Sequence, residues 1–324
     1  MSIFVTRRIP AAGLEVLRRA GLAFEVGQDD DELPLDPQAL RRGVARHPVL
    51  LCQLTDSIDR ELLRANPGLR GVAQMAVGVD NIDLAAAREL GIPVGNTPGV
   101  LTEATADLAF ALLLAVARRV VEGHRYLVEG RFRAFGPNLL LGAGVGPDPD
   151  GTPRTLGLVG FGRIGRAVAR RAAGFGMRVL ATARGRAAVE AHPGVEFADL
   201  DALLAASDFV SLHVPLTAAT RHLIDARALS RMRPGAFLIN TARGPVVDEA
   251  ALVEALDRRL IAGAGLDVYE DEPRVHPGLL GRDEVVLLPH LGSATGATRG
   301  AMAEMAARNA VAFARGEPAP HPVA

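Results

Sequence analysis

The 324-residue chain has no tryptophan, two tyrosines and a single cysteine, and all 36 of its basic residues are arginine. The absence of lysine removes several mechanisms at once: a Walker-type phosphate loop, a Schiff-base enzyme and the Tyr/Lys pair of short-chain dehydrogenases each need one. Any proton donor must therefore be histidine, a carboxylate, tyrosine or cysteine. A single cysteine excludes an internal disulfide and a multi-cysteine zinc site. Cys52 ends the apolar run VLLC and reads as a core thiol, and no metal is expected. Neither sign of charge is in excess: 36 basic against 37 acidic residues leave a net charge of -1. That offers no footprint for nucleic acid or an anionic membrane. The longest apolar run, Leu108 to Ala117, is too short to cross a bilayer, and MSIFVTRRIP lacks the apolar core of a signal peptide. The expectation is a cytoplasmic protein with neither nucleic acid nor membrane as partner.

Glycine, by contrast, is plentiful, and residues 157–165, GLVGFGRIG, space Gly160, Gly162 and Gly165 as a dinucleotide-binding turn does. The spacing alone is weak in a chain with 35 glycines, so its context decides. TLGLV at 155–159 reads as a short buried strand, and RIGRAVARRAAG at 163–174 has helical apolar spacing, with Ile164, Val168 and Ala172 on one face. In that strand–turn–helix, Gly160 permits the turn, Gly162 lets backbone N–H groups reach a pyrophosphate, and Gly165 lets helix and strand pack closely.

The length suggests two domains. The first hundred residues alternate strand-like and helix-like runs: SIFVT, a helix near Ala11–Ala20, AFEV, a helix near Pro37–Arg46, VLLC, GVAQMA and IPVG. This is an α/β pattern. LTEATADLAFALLLAVARRVVEG then predicts one long helix capped by Thr102 and ended by Gly123, able to bridge two domains. GAGVGPDPDGTPR at 142–154 reads as an exposed loop. After it, RVLAT, FVSLHV, AFLINT, GAGLDV and VVLLP are continuous apolar strands suited to a parallel sheet covered on both faces, and 297–315 is helical again.

Three motifs follow the later strands: INTARGPVVDE at 239–249, GLDVYEDEP at 265–273 and LPHLGSAT at 288–295. Open α/β sheets place ligands at such strand ends. Arg243 offers a planar, permanently charged fork for a carboxylate and can polarise an adjacent ketone. His290 can protonate the ketone oxygen as hydride arrives at carbon, and Glu272 can fix its tautomer and favour its charged form. No spacing rule brings these three together. Each also reads as an ordinary residue: a solvated arginine, a turn glutamate before proline, a strand-end histidine.

The successive blocks GLVGFGRIG, NTPGVLTEATADLAFALLLA, HVPLTAATRHLI, NTARGPVVDE, GLDVYEDEP and LPHLGSAT resemble, over nearly the whole chain, those of the D-isomer-specific 2-hydroxyacid dehydrogenases. The resemblance implies that Arg243 binds substrate and that Glu272 and His290 form the acid/base pair. It places Asp267 beside the nicotinamide and the pair, where a buried structural carboxylate and a titration-tuning one are equally good readings. AVGVDNID at 76–83 would present the amides of Val77 and Gly78 to the substrate carboxylate, with Leu54 nearby. Nucleotide contacts carried onto the same blocks are Thr105, Gly160, Gly162, Arg163, Ile164, Gly165, Ala183, Arg184, Val214, Pro215, Thr220, Thr241, Asp267, Gly292 and Ser293. The implied fold is α/β, with two Rossmann-like or flavodoxin-like domains built on parallel sheets. A discontinuous substrate domain, 1–99 plus 292–324, would flank a nucleotide-binding domain, 100–291, across a cleft that closes on substrate. A homodimer is the family's common state.

After the strand RVLAT, alignment with the family's usual pattern puts Ala183 where an acidic residue would bind the adenosine ribose of NAD, and Arg184 and Arg186 follow. NADP(H) is thus the preferred cofactor, with NAD(H) possible. The chain stops soon after the last helix, at ARGEPAPHPVA, without the regulatory domain of many phosphoglycerate dehydrogenases. Together these favour a glyoxylate/hydroxypyruvate reductase acting on small 2-oxo acids. Where the family often has pocket tryptophans, this chain offers Phe132 and Phe135, and the loop after them looks longer than usual, so a bulkier 2-oxo acid stays open. The alternatives are a D-lactate, phosphoglycerate or phosphite dehydrogenase, and an NAD(P)(H)-sensing protein resembling the corepressors of this fold.

Overall fold

Short apolar runs separated by amphipathic helices build the first sheet. Its strands are Ser2–Val5 (β1), Ala23–Val26 (β2), Val49–Cys52 (β3), Gly71–Gln74 (β4) and Val94–Gly95 (β5). They lie in the order β2-β1-β3-β4-β5 with every neighbour parallel. β3 and β4 are buried along their whole length, as central strands covered on both faces should be. Helix Pro37–Arg46 starts where Asp36 accepts hydrogen bonds from the amides of Gln38 and Ala39, with Pro37 in the first turn. Helix Gly296–Arg315, capped by Thr295, packs Met302, Ala303, Ala306, Ala307, Ala310 and Phe313 into the same core as β1, β3 and helix Ala11–Arg19.

The second sheet holds Thr155–Val159 (β6), Arg178–Thr182 (β7), Val195–Phe197 (β8), Phe209–Leu212 (β9), Phe237–Asn240 (β10), Gly263–Leu266 (β11) and Val285–Leu287 (β12). All are parallel, in the order β12-β11-β10-β9-β6-β7-β8. The order reverses between β6 and β9, the switch point at which doubly wound sheets bind dinucleotides. Apolar clusters cover both faces.

This computed structural model describes residues 1–30 and 32–323. By its internal contacts the chain forms two units, Met1–Leu101 with Ala294–Ala324, and Thr102–Ser293. Cys52 is fully buried, its thiol donating to Gln74 Oε1 at 2.9 Å.

Two expectations need correction. The single helix from Thr102 to Gly123 is two helices, Thr102–Ala117 and Val120–Val128, joined by Arg119 in the left-handed region at φ 52°. One contact at the break is tertiary, Ala143 N donating to Ala117 O at 2.8 Å and so taking a helix-end carbonyl, and one is local, the Arg119 guanidinium gripping the buried Glu122 carboxylate three residues on. Gly123 lies inside the second helix, its amide bonded to Arg119 O. The stretch 142–154 is irregular but not simply exposed: Val145 is buried in the core of the second unit, and Arg154 holds Asp148 at 2.7 Å.

Candidate active site

The turn after β6 has the geometry its glycines suggested. Gly160 adopts φ 102°, and a Cβ there would lie 2.7 Å from the His213 carbonyl carbon. A Cβ on Gly165 would lie 2.3 Å from Gly160 O. Neither position admits a side chain. Gly162 is the opposite case, with nothing within 4 Å of a Cβ, and it precedes helix Arg163–Gly174 without a side-chain cap. The first intrahelical bond runs from Arg166 N to Gly162 O at 3.0 Å, so the amides of Arg163, Ile164 and Gly165 have no intrahelical acceptor and present a partial positive charge.

At the end of β7, Ala183 packs against the core, and exposed Arg184 has neither hydrogen bond nor ion pair among the described residues. Arg186 is committed, pairing with Glu190 at 2.6 Å and covering the Phe197 ring. Beyond β9, burial pushes the His213 imidazole down to about 3, keeping it neutral beside the turn, 2.9 Å from Ser211 Oγ. Val214 and Pro215 begin a loop that Thr220 closes: its hydroxyl donates to Pro215 O at 2.6 Å and accepts from Thr217 N at 2.8 Å. That hydroxyl is thus built into the loop.

Beyond β10, buried Thr241 has a hydroxyl without a hydrogen-bond partner among the described residues. Asn240 shapes the next turn, accepting from Ala242 N at 3.0 Å and donating to Arg243 O at 2.9 Å. Arg243 is partly buried, with Nη1 donating to Ala242 O at 2.8 Å. A Cβ on Gly244 would fall 1.8 Å from the Tyr269 carbonyl, so the Arg243 turn packs directly on the backbone leading to Glu272.

His290 Nδ1 lies 2.8 Å from Glu272 Oε2, and Tyr269 N donates to Glu272 Oε1 at 3.1 Å. Burial pushes the Glu272 carboxyl up. The His290 hydrogen bond and charge, the Tyr269 amide and the Arg243 charge outweigh that and hold it below the usual glutamate range. The carboxylate is therefore ionised at neutral pH, and Nδ1–H is the donor. His290 itself sits at φ 54°, an uncommon conformation for a non-glycine residue.

Asp267 accounts for that conformation. It is 1 % exposed, its carbonyl accepts from His290 N at 3.0 Å, and its carboxylate accepts from Leu291 N at 2.6 Å and Gly292 N at 2.8 Å. Burial pushes its carboxyl up, against the pull of those amides and of His290. Asp267 is thus a brace under the histidine. Thr105 donates to Gly292 O at 3.0 Å, tying helix Thr102–Ala117 to the same turn, with Ser293 next along the chain. The Tyr269 hydroxyl donates to Leu288 O at 2.8 Å, and burial pushes the phenol up, so it stays protonated as a further strut.

In the first unit, the loop after β4 is held by its carbonyls: Asn96 Nδ2 donates to Val77 O at 2.8 Å and Gln74 Nε2 to Gly78 O at 3.3 Å. The amides of Val77 and Gly78 have no acceptor among the described residues. Leu54 lies in the turn that buried Asp56 closes by accepting from Gln53 N at 2.7 Å. Asn240, Tyr269, Gln74 and Asn96 went unnoticed in the sequence: Tyr269 and Asn96 work on carbonyls 19 positions away, whereas Asn240 and Gln74 bond within four residues, and an asparagine opening the turn before Arg243 was a local signal for the first of these. Phe132 and Phe135, offered as substitutes for pocket tryptophans, are 51 % and 87 % exposed on the second unit. No group of three His, Cys, Asp or Glu able to hold a metal occurs among the described residues, and no described helix is long and apolar enough to cross a membrane.

The second unit therefore sets an arginine and a carboxylate–imidazole pair on the sheet edge that carries a dinucleotide turn, the equipment of a nicotinamide-dependent oxidoreductase. Residues 110–292 match the model of the D-isomer specific 2-hydroxyacid dehydrogenase NAD binding domain. The chain is 51 % identical to a glyoxylate reductase of Korarchaeum cryptofilum, over 98 % of this chain and 94 % of that one. It is 48 % identical to one of Thermococcus litoralis, over 98 % and 95 %. Among solved structures, the Thermus thermophilus TT0316 protein aligns with a TM-score of 0.92 at 47 % identity, covering 100 % of both chains. An NADPH-dependent glyoxylate/hydroxypyruvate reductase of Sinorhizobium meliloti, in complex with NADP and malonate, aligns at 0.84 with 35 % identity, covering 100 % of this chain and 96 % of that one. The chain belongs to the D-isomer-specific 2-hydroxyacid dehydrogenases and is an NAD(P)-dependent oxidoreductase of that family.

Proposed function

We propose that the protein reduces glyoxylate, hydroxypyruvate and similar small 2-oxo acids to glycolate or D-2-hydroxy acids, with NADPH as the preferred reductant. The observation that carries this reading is the Glu272–His290 pair at 2.8 Å, with Arg243 close enough to act on the same carboxylate. The relatives' names supply the substrate class.

The nicotinamide cofactor fits the second unit: the open backbone at Gly162 suits a pyrophosphate, and the buried Thr241 hydroxyl lacks a partner that a bound ligand would provide. When bound, the cofactor supplies hydride to the carbonyl carbon. Arg243 holds the substrate carboxylate and orients the adjacent carbonyl. Because Nδ1 of His290 faces Glu272, Nε2 is the nitrogen left to give its proton to the carbonyl oxygen, and solvent restores that proton. Glu272 stabilises the charged imidazole, and Asp267 fixes the turn from which it projects. In the first unit, residues 1–99 with the returning helix are assigned to substrate binding, and the free amides of Val77 and Gly78, beside Leu54, suit a carboxylate.

NADPH preference rests on Arg184, exposed and uncommitted, following Ala183, which cannot repel a 2'-phosphate. Arg184→Ala should weaken NADPH by about tenfold, the value of one charge-assisted hydrogen bond, and NADH by less than twofold. Fluorescence titration with both nucleotides checks this; equal losses would remove Arg184 from phosphate recognition.

A homodimer is proposed from the apolar residues Leu127, Val128, Phe132, Phe135 and Leu141, all more than half exposed on one stretch of the second unit. Large apolar side chains exposed together on one stretch suit an association surface. Phe135→Asp should halve the molecular mass measured by light scattering; a monomeric wild type, or a variant of unchanged mass, would refute the assignment.

The reaction itself is tested by initial rates of NADPH and NADH oxidation over glyoxylate, hydroxypyruvate, pyruvate and bulkier 2-oxo acids. Fast NADPH-linked turnover of the small acids supports the proposal. No turnover from folded, nucleotide-binding protein would refute it.

A further inference from the structure

Three loops at the C-terminal edge of the second sheet are joined by a histidine for which the proposed chemistry has no use. His222, at φ 49°, donates its backbone N–H to Pro245 O at 2.8 Å, two residues beyond Arg243. Its Nε2 lies 2.5 Å from Glu270 Oε1, two residues before Glu272. Main chain and side chain thus reach the two segments whose separation sets the distance between substrate-holding and proton-handling groups.

The Glu270 end of this bond is anchored in turn. Glu270 N donates to Glu249 Oε1 at 2.7 Å, and Glu249 N donates to Glu270 Oε2 at 3.3 Å, a reciprocal pair that fastens the loop after β11 to the first turn of helix Glu249–Asp257. Glu249 is buried, and burial pushes its carboxyl up. Arg221 Nη2 stands 3.7 Å from Glu270 Oε1, and Asp248 Oδ2 stands 4.0 Å from His222 Nδ1. Gly244 packs against the Tyr269 carbonyl and brings the Arg243 turn onto the same backbone. His222 belongs to the loop that begins with Val214 and Pro215, so one residue links three ligand-bearing loops.

We propose that His222 is a positioning residue, acting through Glu270 and Pro245, that fixes the Glu272 and Arg243 loops relative to each other. This rests on the reading of Glu272–His290 as the acid/base pair and Arg243 as the substrate clamp. A hydrogen bond to a carboxylate is short, strong and directional, suited to holding a loop in place. A displacement of about 1 Å at reacting groups costs on the order of a hundredfold in rate.

The test uses the full chain with His222→Ala, His222→Gln and, as a reference, His290→Ala. For each variant kcat, the KM for glyoxylate, the Kd for NADPH and the melting temperature are measured. His222→Ala is expected to lower kcat about 10- to 100-fold with the NADPH Kd within threefold of wild type. His222→Gln, whose amide N–H can still donate to Glu270, is expected to recover most of the loss. A purely structural role would lower the melting temperature without this split. The inference is overturned if His222→Ala keeps kcat within twofold, or if the glutamine variant is no better than the alanine variant. If His222→Ala does not fold, Glu270→Ala, which removes the acceptor for His222, is subjected to the same comparison, and an unchanged kcat there overturns it. An active His290→Ala would sink the acid/base reading itself, whereas an inactive His290→Ala beside a fully active His222→Ala would sink only this inference.

Discussion

His290→Ala should lower kcat for 2-oxo acid reduction by about 10²–10⁴-fold, the range that a positioned general acid contributes. The imidazole is held by Glu272 at 2.8 Å on Nδ1, and its backbone by Asp267, so its removal takes away the donor and leaves its supports in place. The dinucleotide turn at Gly160–Gly165 is built from other strands, so the NADPH Kd should stay within a few-fold of wild type. A pH dependence follows from Glu272: its carboxyl is held below the usual glutamate range, so the ionised partner of His290 persists into mild acid and is lost only as pH falls through that lowered value. Steady-state rates over an acid pH series check this; a loss of kcat/KM already at or above the ordinary glutamate range would contradict it. A His290→Ala enzyme with wild-type turnover would exclude this residue as the acid.

Arg243→Ala should raise the KM for the 2-oxo acid and lower kcat/KM by roughly 2–5 kcal/mol in transition-state terms, the cost of leaving a bound charge unpaired. That corresponds to about 30- to several-thousand-fold. Arg243→Lys should restore only part of the loss, because a point charge replaces a planar fork that binds a carboxylate with two parallel bonds. The nucleotide Kd serves again as the control. A lysine variant with full activity would mean that charge alone suffices; an alanine variant with unchanged kcat/KM would remove Arg243 from substrate binding. The partial burial of Arg243 and its hold on Ala242 O place the guanidinium before substrate arrives.

The core strands were legible because each is a continuous apolar run, and the glycine turn was legible because its determinants lie within nine consecutive residues. β8 escaped notice: it is three residues long, at the sheet edge, and only partly buried. The interruption at Arg119 was not read, because the Ala143 amide that takes the Ala117 carbonyl comes from a distant segment and acts only in the folded chain. The same holds at the site. Residue types alone nominated Arg243, Glu272 and His290, but nothing local brings together Glu272 and a histidine 18 positions away. Family resemblance supplied that pairing in the sequence, and the structure gives it a distance. The His222–Glu270 bond spans 48 positions and belongs to no local pattern, so only coordinates expose it. Asp267 is a middle case: a carboxylate in an apolar strand end is conspicuous, but its work on the amides of Leu291 and Gly292 is tertiary.

The central claim is that this site delivers hydride and proton to a 2-oxo acid with D stereochemistry. The measurement that tests it most directly is chiral chromatography of the glycerate formed from hydroxypyruvate and NADPH by the purified protein. D-glycerate as the sole product is the predicted result. L-glycerate, a racemate, or no glycerate from folded protein that binds NADPH would contradict it.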